Sequence, residues 1–294
     1  MSNLTIDSKF VGVPWKEEIQ EITWRDSTNF AASLNDMNPY YVDDERKGGI
    51  CAPPTFAVKL CWRIILAGRA NYIDMPYPQA VWDTLMHYTE YIDVQRLIKP
   101  PVKIRIKTEI AAMLPQRAGA QVVHKQTVTD MDGNPYHTEY IGSMLRGVEC
   151  PDGGKGASPE YQKTKYKGKP IWESPIFINP ALPYVYDGCN DLVFAIHTSP
   201  KFARSVGLPS NVLHGSANLA LGVRDVINHE LGGDPTRVKI LGGKFTAMVL
   251  PGNNVKVQLF ERKAADGCIE LFWQLLNETT GQVAVNYGYI KASA

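Results

Sequence analysis

Cysteine is scarce in this chain, and net charge is almost absent. The five cysteines are widely spaced along 294 residues, and no two of them form a Cys-x-x-Cys pair. Such spacing favours neither a disulfide framework nor a zinc site. Lysine and arginine number 31 and aspartate and glutamate 30, which gives a formal charge of +1. Without a global positive field, binding of nucleic acid or an anionic membrane is not expected, so any anionic ligand must be held by local groups.

Long apolar runs and the common nucleotide and nucleophile motifs are also missing. Apolar stretches such as Trp62 to Gly68, which Arg63 interrupts, are far shorter than the roughly 20 residues of a membrane span. No Gly-x-Gly-x-x-Gly, Walker or serine-elbow pattern is present, which argues against a dinucleotide fold, a phosphate loop and a serine hydrolase. The first residues, MSNLTIDSKF, do not have the pattern of a secretory signal, so a cytoplasmic location is expected.

The same order of elements occurs twice along the chain. Hydrophobic residues make up 44% of the sequence, which is enough for a large core. The stretch PDGGKGASPEYQKTKYKGK, which follows Cys150, is rich in Gly, Ser, Pro and Lys and is typical of a linker. We therefore expect a first domain over residues 1–150, a linker over 151–168 and a second domain over 169–294.

Each half is predicted to hold one long helix followed by a meander of strands. Apolar residues at three- and four-residue spacing predict helices over Thr55 to Arg69 and Ser216 to Leu231. Alternating patterns between turn residues predict strands over 102–111, 121–129 and 136–144, then over 244–250, 254–262, 268–276 and 283–291. The expected fold class is α+β, with each antiparallel sheet wrapped around its helix. A second copy can pair with the exposed edge strand of the first, which predicts an intramolecular pseudo-dimer.

Two loops that precede these helices carry the residues suited to chemistry. The first loop contains residues 35–43 (NDMNPYYVD) and leads to 52–56 (APPTF). The second contains residues 190–200 (NDLVFAIHTSP) and leads to 213–215 (LHG). Backbone N–H groups at a helix N-terminus can stabilise developing negative charge, so each loop is a candidate site.

These segments resemble the MaoC-like family of (R)-specific enoyl-CoA hydratases and dehydratases, whose signature is Gly-Asp-x-Asn-Pro-x-His ahead of a helix opened by His-Gly. The resemblance covers nearly the whole chain and implies two tandem hot-dog domains, the first of them dehydratase-like. Both copies of the signature are incomplete. In the first half Tyr41 stands at the position of the signature His. In the second half His197 is present, but Leu192, Phe194 and Ala195 stand at the positions of Asp, Asn and Pro.

The resemblance implies addition or removal of water across the α,β double bond of an enoyl-CoA or 3-hydroxyacyl-CoA thioester. In hydration a base takes a proton from water as it attacks Cβ, and an acid delivers one to Cα. His197 is the first catalytic candidate, because imidazole titrates near the working pH. By the same resemblance, the backbone N–H of Gly215 meets the charge that develops on the thioester oxygen. Asp36 is the third candidate, provided that the fold brings the two loops together.

Four further residues are predicted to bind the substrate. Asn38 and Tyr41 belong to the first loop, and Asp191 comes one residue before the lost Asp position, where a local bulge could let it take over that role. Phe194 in place of Asn predicts a pocket reshaped for a bulky or ring-bearing acyl group. No metal is expected, because the histidines outside the two loops show no ligand spacing. No cofactor is expected beyond the coenzyme A of the substrate.

Plainer roles stay open for the same residues. His197 could hydrogen-bond a loop carbonyl, Asp36 and Asn38 could form a turn of the Asx type, Tyr41 could be a packing residue, and His214 could simply start the helix. Two other functions also stay open, a hot-dog thioesterase and a non-catalytic acyl-CoA-binding subunit. The protein partners that stay open are a second copy of the chain, in a homodimer, and a partner hot-dog subunit. Co-purification with a smaller hot-dog protein would favour the binding subunit.

Overall fold

The computed structural model describes residues 4–67, 75, 77–160, 166 and 168–294, and the elements below are those of this part of the chain. Its strands are β1 Glu18–Ile22, β2 Leu85–Val94, β3 Val102–Gln116, β4 Gly119–Thr129, β5 Pro135–Arg146, β6 Lys155–Gly156, β7 Trp172–Phe177, β8 Val238–Phe245, β9 Asn254–Ala265, β10 Cys268–Asn277 and β11 Gln282–Ser293. Its helices are α1 Trp24–Ser33, α2 Pro39–Val42, α3 Ala57–Ala67, α4 Gln79–Trp82, α5 Leu182–Asn190, α6 Ala195–Thr198, α7 Pro200–Ser205 and α8 Gly215–Glu230. Turns of 3-10 helix cover Ser8–Phe10, Pro54–Phe56 and Pro235–Arg237.

One continuous antiparallel sheet joins the two halves. Its strand order is β1-β3-β4-β5-β2-β8-β11-β10-β9-β7, and β6 pairs with β3. The junction is the pair β2 and β8, in which Thr89 lies opposite Lys244 and Asp93 opposite Ile240. An edge strand of each half is thereby covered by the other half, which removes an aggregation-prone edge. The expected pseudo-dimer is confirmed.

The sheet wraps around the two long helices, α3 and α8. Small residues let α8 approach the strands closely, and the fully buried Trp273 of β10 fits between Gly222 of α8 and Gly288 of β11. A Cβ at either glycine would collide with the indole ring. Interiors packed at this density tolerate little added volume. The α+β architecture of helices enclosed by an antiparallel sheet is therefore confirmed.

The predicted element bounds are accurate for α8 and less so elsewhere. α8 starts one residue earlier than predicted, and the first long helix begins as the 3-10 turn Pro54–Phe56 before α3. Gly68 and Arg69, at the end of the predicted helix, lie outside the described residues. The strand predicted over 244–250 was wrong, because β8 ends at Phe245. The centre of β8 is near Gly242, which lies so close to the backbone of Glu90 that a side chain would not fit.

The predicted linker contains one short structured piece. Within 151–168, β6 pairs with β3, with Gly156 opposite Ala112 and Lys155 opposite Met113. Residues 161–165 and 167 of this segment lie outside the described part, so the division into two domains stays a prediction. None of the described helices is long and apolar enough to cross a membrane.

Candidate functional site

A cavity of about 500 Å³ opens where β2 and β8 diverge. The pairing of the two strands ends at Thr89 and Lys244, and the cavity lies beyond that point. Both halves of the chain line it, and its size is typical of a small-molecule site. The lining comprises Trp62, Leu85, Met86, His87, Arg146, Leu192, Phe194, Ile196, His197, Gly207, Leu208, Val212, Leu213, His214, Gly215, Ser216, Asn218, Phe245, Thr246, Ala247, Met248 and Gln282.

His197 lies on the wall of this cavity in a defined tautomer. Its Nδ1 is 2.8 Å from the carbonyl oxygen of Val212. Because a carbonyl only accepts hydrogen bonds, Nδ1 carries the hydrogen and Nε2 keeps its lone pair. The backbone carbonyl of His197 accepts from Nδ2 of Asn211 at 2.9 Å, which fixes the short helix α6. His197 therefore both bonds a loop carbonyl and offers a basic nitrogen at the cavity.

His214 stacks directly on His197. The two ring centroids are 3.6 Å apart and the planes are inclined by 21°. Nε2 of His214 lies 3.7 Å from Oδ1 of Asp187, which comes from α5. On its other side His214 meets the ring of Tyr186, whose hydroxyl donates to Ser216 Oγ at 3.1 Å. A carboxylate and two imidazoles are thus assembled at the start of α8.

Burial keeps both imidazoles neutral at neutral pH. Loss of solvent lowers the pKa of His197 to about 3, and the neighbouring His214 lowers it further, while the Val212 carbonyl opposes the shift. The pKa of His214 is also lowered, mainly by burial, and Asp187 partly offsets that effect. A neutral imidazole is the form that accepts a proton, so His197 is in the state that a base requires, but its pKa lies far below the working pH near which the sequence predicts that it titrates.

The N-terminus of α8 presents hydrogen-bond donors to the same cavity. Gly215 is the first residue of this long helix, and N–H groups of a first helical turn have no partner within the helix. Gly215, Ser216 and Asn218 all line the cavity. Asn218 is 3% exposed, and its Oδ1 has no hydrogen-bond partner within the described structure. A buried polar atom without a partner favours a polar ligand here.

The structure does not bring Asp36, Asn38 and Tyr41 to this cavity. Asn38 caps α2 by accepting from the N–H of Tyr40 at 3.0 Å, and its Nδ2 donates to the carbonyl of Gly233 at 2.7 Å. Tyr41 is 1% exposed and packs in a small separate apolar cluster. Asp36 is buried in this capping loop, where loss of solvent raises its pKa to about 6 against the opposing charge of Arg224. None of the three lines the cavity that contains His197. The structure therefore gives no support to their predicted roles in catalysis or substrate binding there.

Of the remaining predicted residues, Phe194 and Gly215 line the cavity and Asp191 does not. Phe194 lies edge-on to His197, with ring centroids 6.1 Å apart. Asp191 is exposed and ends α5 with a left-handed backbone, at φ 53°. Asp191 therefore does not take over the role of the missing signature Asp. The carboxylate that approaches His214 belongs to Asp187, one turn earlier on α5.

Sequence reasoning missed Asp187, His87 and Arg146. Asp187 precedes the signature segment and belongs to a helix that was not predicted. His87 and Arg146 lie in β2 and at the end of β5, in the first half. Only the pairing of β2 with β8 brings them beside the second half's loop, and no local pattern in the sequence reveals that pairing.

Comparisons with known proteins agree with this architecture. Residues 168–283 match the family described as MaoC like domain, and residues 9–139 match FAS1-like, dehydratase domain region. The peroxisomal enoyl-CoA hydratase 2 of Arabidopsis thaliana is 25% identical over 226 residues, covering 70% of this chain and 68% of the plant protein.

Two solved structures show the fold. The MaoC-like dehydratase from Phytophthora capsici is similar with a TM-score of 0.84 at 19% identity, covering 97% of both chains. A Mycobacterium tuberculosis protein described as having a double hot-dog fold is similar with a TM-score of 0.57 at 12% identity, covering 95% of this chain and 96% of that one. The double hot-dog expectation is confirmed.

Proposed function

Because the chain belongs to the MaoC-like dehydratase family, with a FAS1-like dehydratase region in its first half, we propose that it is a hydro-lyase acting on acyl-CoA thioesters. It adds water to the α,β double bond of an enoyl-CoA, or removes water from the 3-hydroxyacyl-CoA. The observation that carries the proposal is the stacked pair His197 and His214, which lines the cavity at the N-terminus of α8 with Asp187 behind His214.

His197 is the base of the proposed reaction. In hydration, Nε2 of His197 takes a proton from the water that attacks Cβ of the substrate. The imidazolium that forms lies against His214, and the negative charge of Asp187 behind His214 stabilises it. This arrangement supplies a carboxylate near the base although Leu192 occupies the signature Asp position.

The start of α8 serves the thioester oxygen. As Cβ is attacked, electron density moves from the double bond towards the thioester oxygen, which gains negative charge. The backbone N–H of Gly215 and the positive end of the helix dipole stabilise that charge. Gly215 borders the same cavity as His197, so one bound thioester can meet both groups.

The apolar part of the cavity supports an acyl group of considerable bulk. Its walls include Trp62 from α3 of the first half and Phe194, Phe245 and Met248 from the second. Phe194 replaces a polar signature residue, which makes this wall more apolar than the signature implies. We propose that medium-length or ring-bearing enoyl groups are better substrates than the four-carbon crotonyl group.

The test is an assay of the purified protein against a panel of enoyl-CoA and 3-hydroxyacyl-CoA thioesters of increasing acyl size. Enoyl absorbance and free thiol are followed together, for the wild type, His197→Ala and His229→Ala. His229 is an exposed histidine of α8 that does not line the cavity, so it is the matched control. We expect turnover without thiol release, a loss of at least 100-fold in His197→Ala, and full activity in His229→Ala.

Two results would overturn the proposal in different ways. Release of free thiol by the wild type would identify a thioesterase. Binding of acyl-CoA without any turnover across the panel would identify a binding subunit, and addition of a candidate hot-dog partner would then show whether activity depends on a complex.

A further inference from the structure

A β-bulge turns His87 towards the cavity. In the pairing of β2 with β5, His87 lies opposite Ser143 and Thr89 opposite Gly142, so Tyr88 is an extra residue in β2. In a regular strand, residues three apart point to opposite faces. The extra residue at Tyr88 places His87 and Glu90 on the same face. Bulges that re-aim a side chain in this way are frequent beside active sites.

His87 connects the cavity to a buried carboxyl group. Its ring lies between those of Phe245 and Trp62, at centroid distances of 4.2 Å and 5.1 Å. Its Nε2 is 3.1 Å from Oε2 of Glu90, which has no solvent exposure. Burial of an ionised carboxylate is costly unless it is paired, so a group at such a position is expected to hold its proton.

A second buried carboxyl group continues inwards from Glu90. Glu139 of β5 is also without solvent exposure, and it lies close enough to Glu90 and to the thiol of Cys61 on α3 to raise the pKa of both groups. Two carboxyl groups in contact cannot both be ionised, so at least one proton is shared between them. The titratable groups described around this pair are His87 of β2, Cys61 of α3 and Tyr186 of α5.

The electrostatics of the pair are those of a proton donor. Burial raises the pKa of Glu139 to about 8, and burial together with Glu139 raises the pKa of Glu90 well above its usual range. Burial also lowers the pKa of His87 to about 3. At neutral pH the imidazole is therefore uncharged and the carboxyl pair holds the proton. Nε2 of His87 faces the carboxyl group of Glu90 at 3.1 Å, so the tautomer that can take the proton of Glu90 is the one that carries its own hydrogen on Nδ1.

We propose that His87 and Glu90, supplied by the first half of the chain, are the proton donor of the reaction that His197 begins as the base. This inference rests on the proposed hydratase function and adds a second proton-transfer group to it. It also gives the first half a chemical role, although its own signature lacks the His.

The proposed step is balanced in atoms and charge. During hydration the water oxygen bonds to Cβ, its proton goes to Nε2 of His197, and the π electrons move to Cα. Cα takes the hydrogen from Nδ1 of His87, and Nε2 of His87 takes the proton of Glu90. The products are the 3-hydroxyacyl thioester, protonated His197 and an ionised Glu90–Glu139 pair. The resting state returns when His197 releases its proton to solvent, Nδ1 of His87 takes up a proton, and the proton on Nε2 of His87 returns to the carboxyl pair.

The experiment compares wild type, Glu90→Gln and His87→Asn in the hydration of trans-2-decenoyl-CoA over pH 5 to 10. We expect kcat to fall about 100-fold or more in both variants, with KM unchanged within about twofold, because general-acid groups typically contribute this much. The wild-type kcat should decrease above about pH 8, as the carboxyl pair ionises, and this decrease should be absent in Glu90→Gln. A purely structural role would not remove a limb of the pH profile.

Glu270→Gln is the matched control. Glu270 is another mostly buried glutamate of the sheet, on β10, where it accepts from the hydroxyl of Tyr289 at 2.7 Å, and it does not line the cavity. Its pH profile should match that of the wild type. If Glu90→Gln does not fold, as judged by circular dichroism, His87→Asn alone provides the test.

The outcomes separate this inference from the proposed function. If kcat in both variants stays within about threefold of the wild-type value and shows the same decrease above pH 8, the inference is overturned and the proposed function is left intact. Failure of the wild type to hydrate any enoyl-CoA would overturn both.

Discussion

The carboxylate of Asp187 lies 3.7 Å from Nε2 of His214, whose ring is stacked on that of His197 at 3.6 Å. Asp187 belongs to α5, whereas the signature Asp position, occupied by Leu192, follows the end of that helix. A carboxylate is thus kept behind the base, although it reaches the site from a different direction. His214 is the connection, so it does more than start α8.

Replacement of Asp187 should impair catalysis without unfolding the protein. In Asp187→Asn the side chain keeps its size but loses the charge that orients His214 and stabilises imidazolium at His197. We expect kcat/KM for enoyl-CoA hydration to fall about 10- to 100-fold, as is typical when a partner of a functional histidine is changed. Steady-state kinetics give the measurement. Asp191→Asn is the control, because Asp191 is exposed and ends the same helix, and equal losses in the two variants would contradict the assignment.

The pH dependence of kcat/KM should reveal the burial of His197. A base must be unprotonated, and the pKa of His197 is lowered from 6.5 to about 3. We therefore expect kcat/KM to stay constant from pH 7 down to about pH 5, where a solvent-exposed histidine would already have lost most of its activity. A decrease with a midpoint near 6.5 would show that His197 is not held neutral by its surroundings.

This profile has to be measured in short assays after a pH jump. A histidine whose pKa is lowered in the folded state binds fewer protons there than in the unfolded chain. The stability that it contributes is therefore complete above about pH 6.5 and is lost as the pH falls towards 3. His87, His137 and His197 all share this direction, so slow acid unfolding must be distinguished from titration of the base by returning the sample to pH 7.

Arg146 should bind the phosphate-bearing part of the substrate. It is an exposed cation on the border of the cavity, at the end of β5. In Arg146→Ala we expect KM for the CoA thioester to rise about two- to fivefold with kcat unchanged, since an exposed ion pair contributes little energy. The N-acetylcysteamine thioester, which lacks the phosphates, should show no difference between variant and wild type. Arg117→Ala, in the turn between β3 and β4, is the control, and an equal effect there would contradict a specific role.

Local patterns along the chain were sufficient to predict the two long helices and the α+β class. Periodicity places α8 within one residue of its observed start because its apolar face is regular and Gly232 follows it. The approximate pairing of the two halves also followed from the repeat. β2 was not predicted, because the charged and polar residues in LMHYTEYIDV interrupt its alternation. Glu90 is buried there and His87 is mostly covered, because β2 lies between β5 and β8 in the assembled sheet.

The candidate site was predictable only where it is local in sequence. His197, Phe194 and Gly215 lie within one segment that resembles the family signature, and all three line the cavity. Asp36, Asn38 and Tyr41 follow the same signature in the first half, yet Asn38 there caps α2 and Tyr41 packs in a separate cluster. His87 reaches the cavity through the pairing of β2 with β8, and Asp187 of α5 reaches His214, which lines the cavity. Such contacts depend on tertiary structure, so a motif search does not find them.

Asp36 should make the protein less stable as the pH rises through 6. Its pKa is raised from 3.8 to about 6 in the folded state, chiefly by burial, so the folded chain holds this proton more tightly than the unfolded chain. The stability that the protonated form contributes is complete below about pH 3.8 and is lost as the pH increases to 6 and beyond. Asp36→Asn keeps the shape of the side chain but removes the ionisation. We expect the variant to exceed the wild type in unfolding free energy by about 1–3 kcal/mol at pH 8, and to equal it near pH 4. Urea denaturation at the two pH values provides the measurement, with the exposed Asp44→Asn as control. A variant less stable than the wild type at pH 8 would show instead that the charge of Asp36 is stabilised by Arg224.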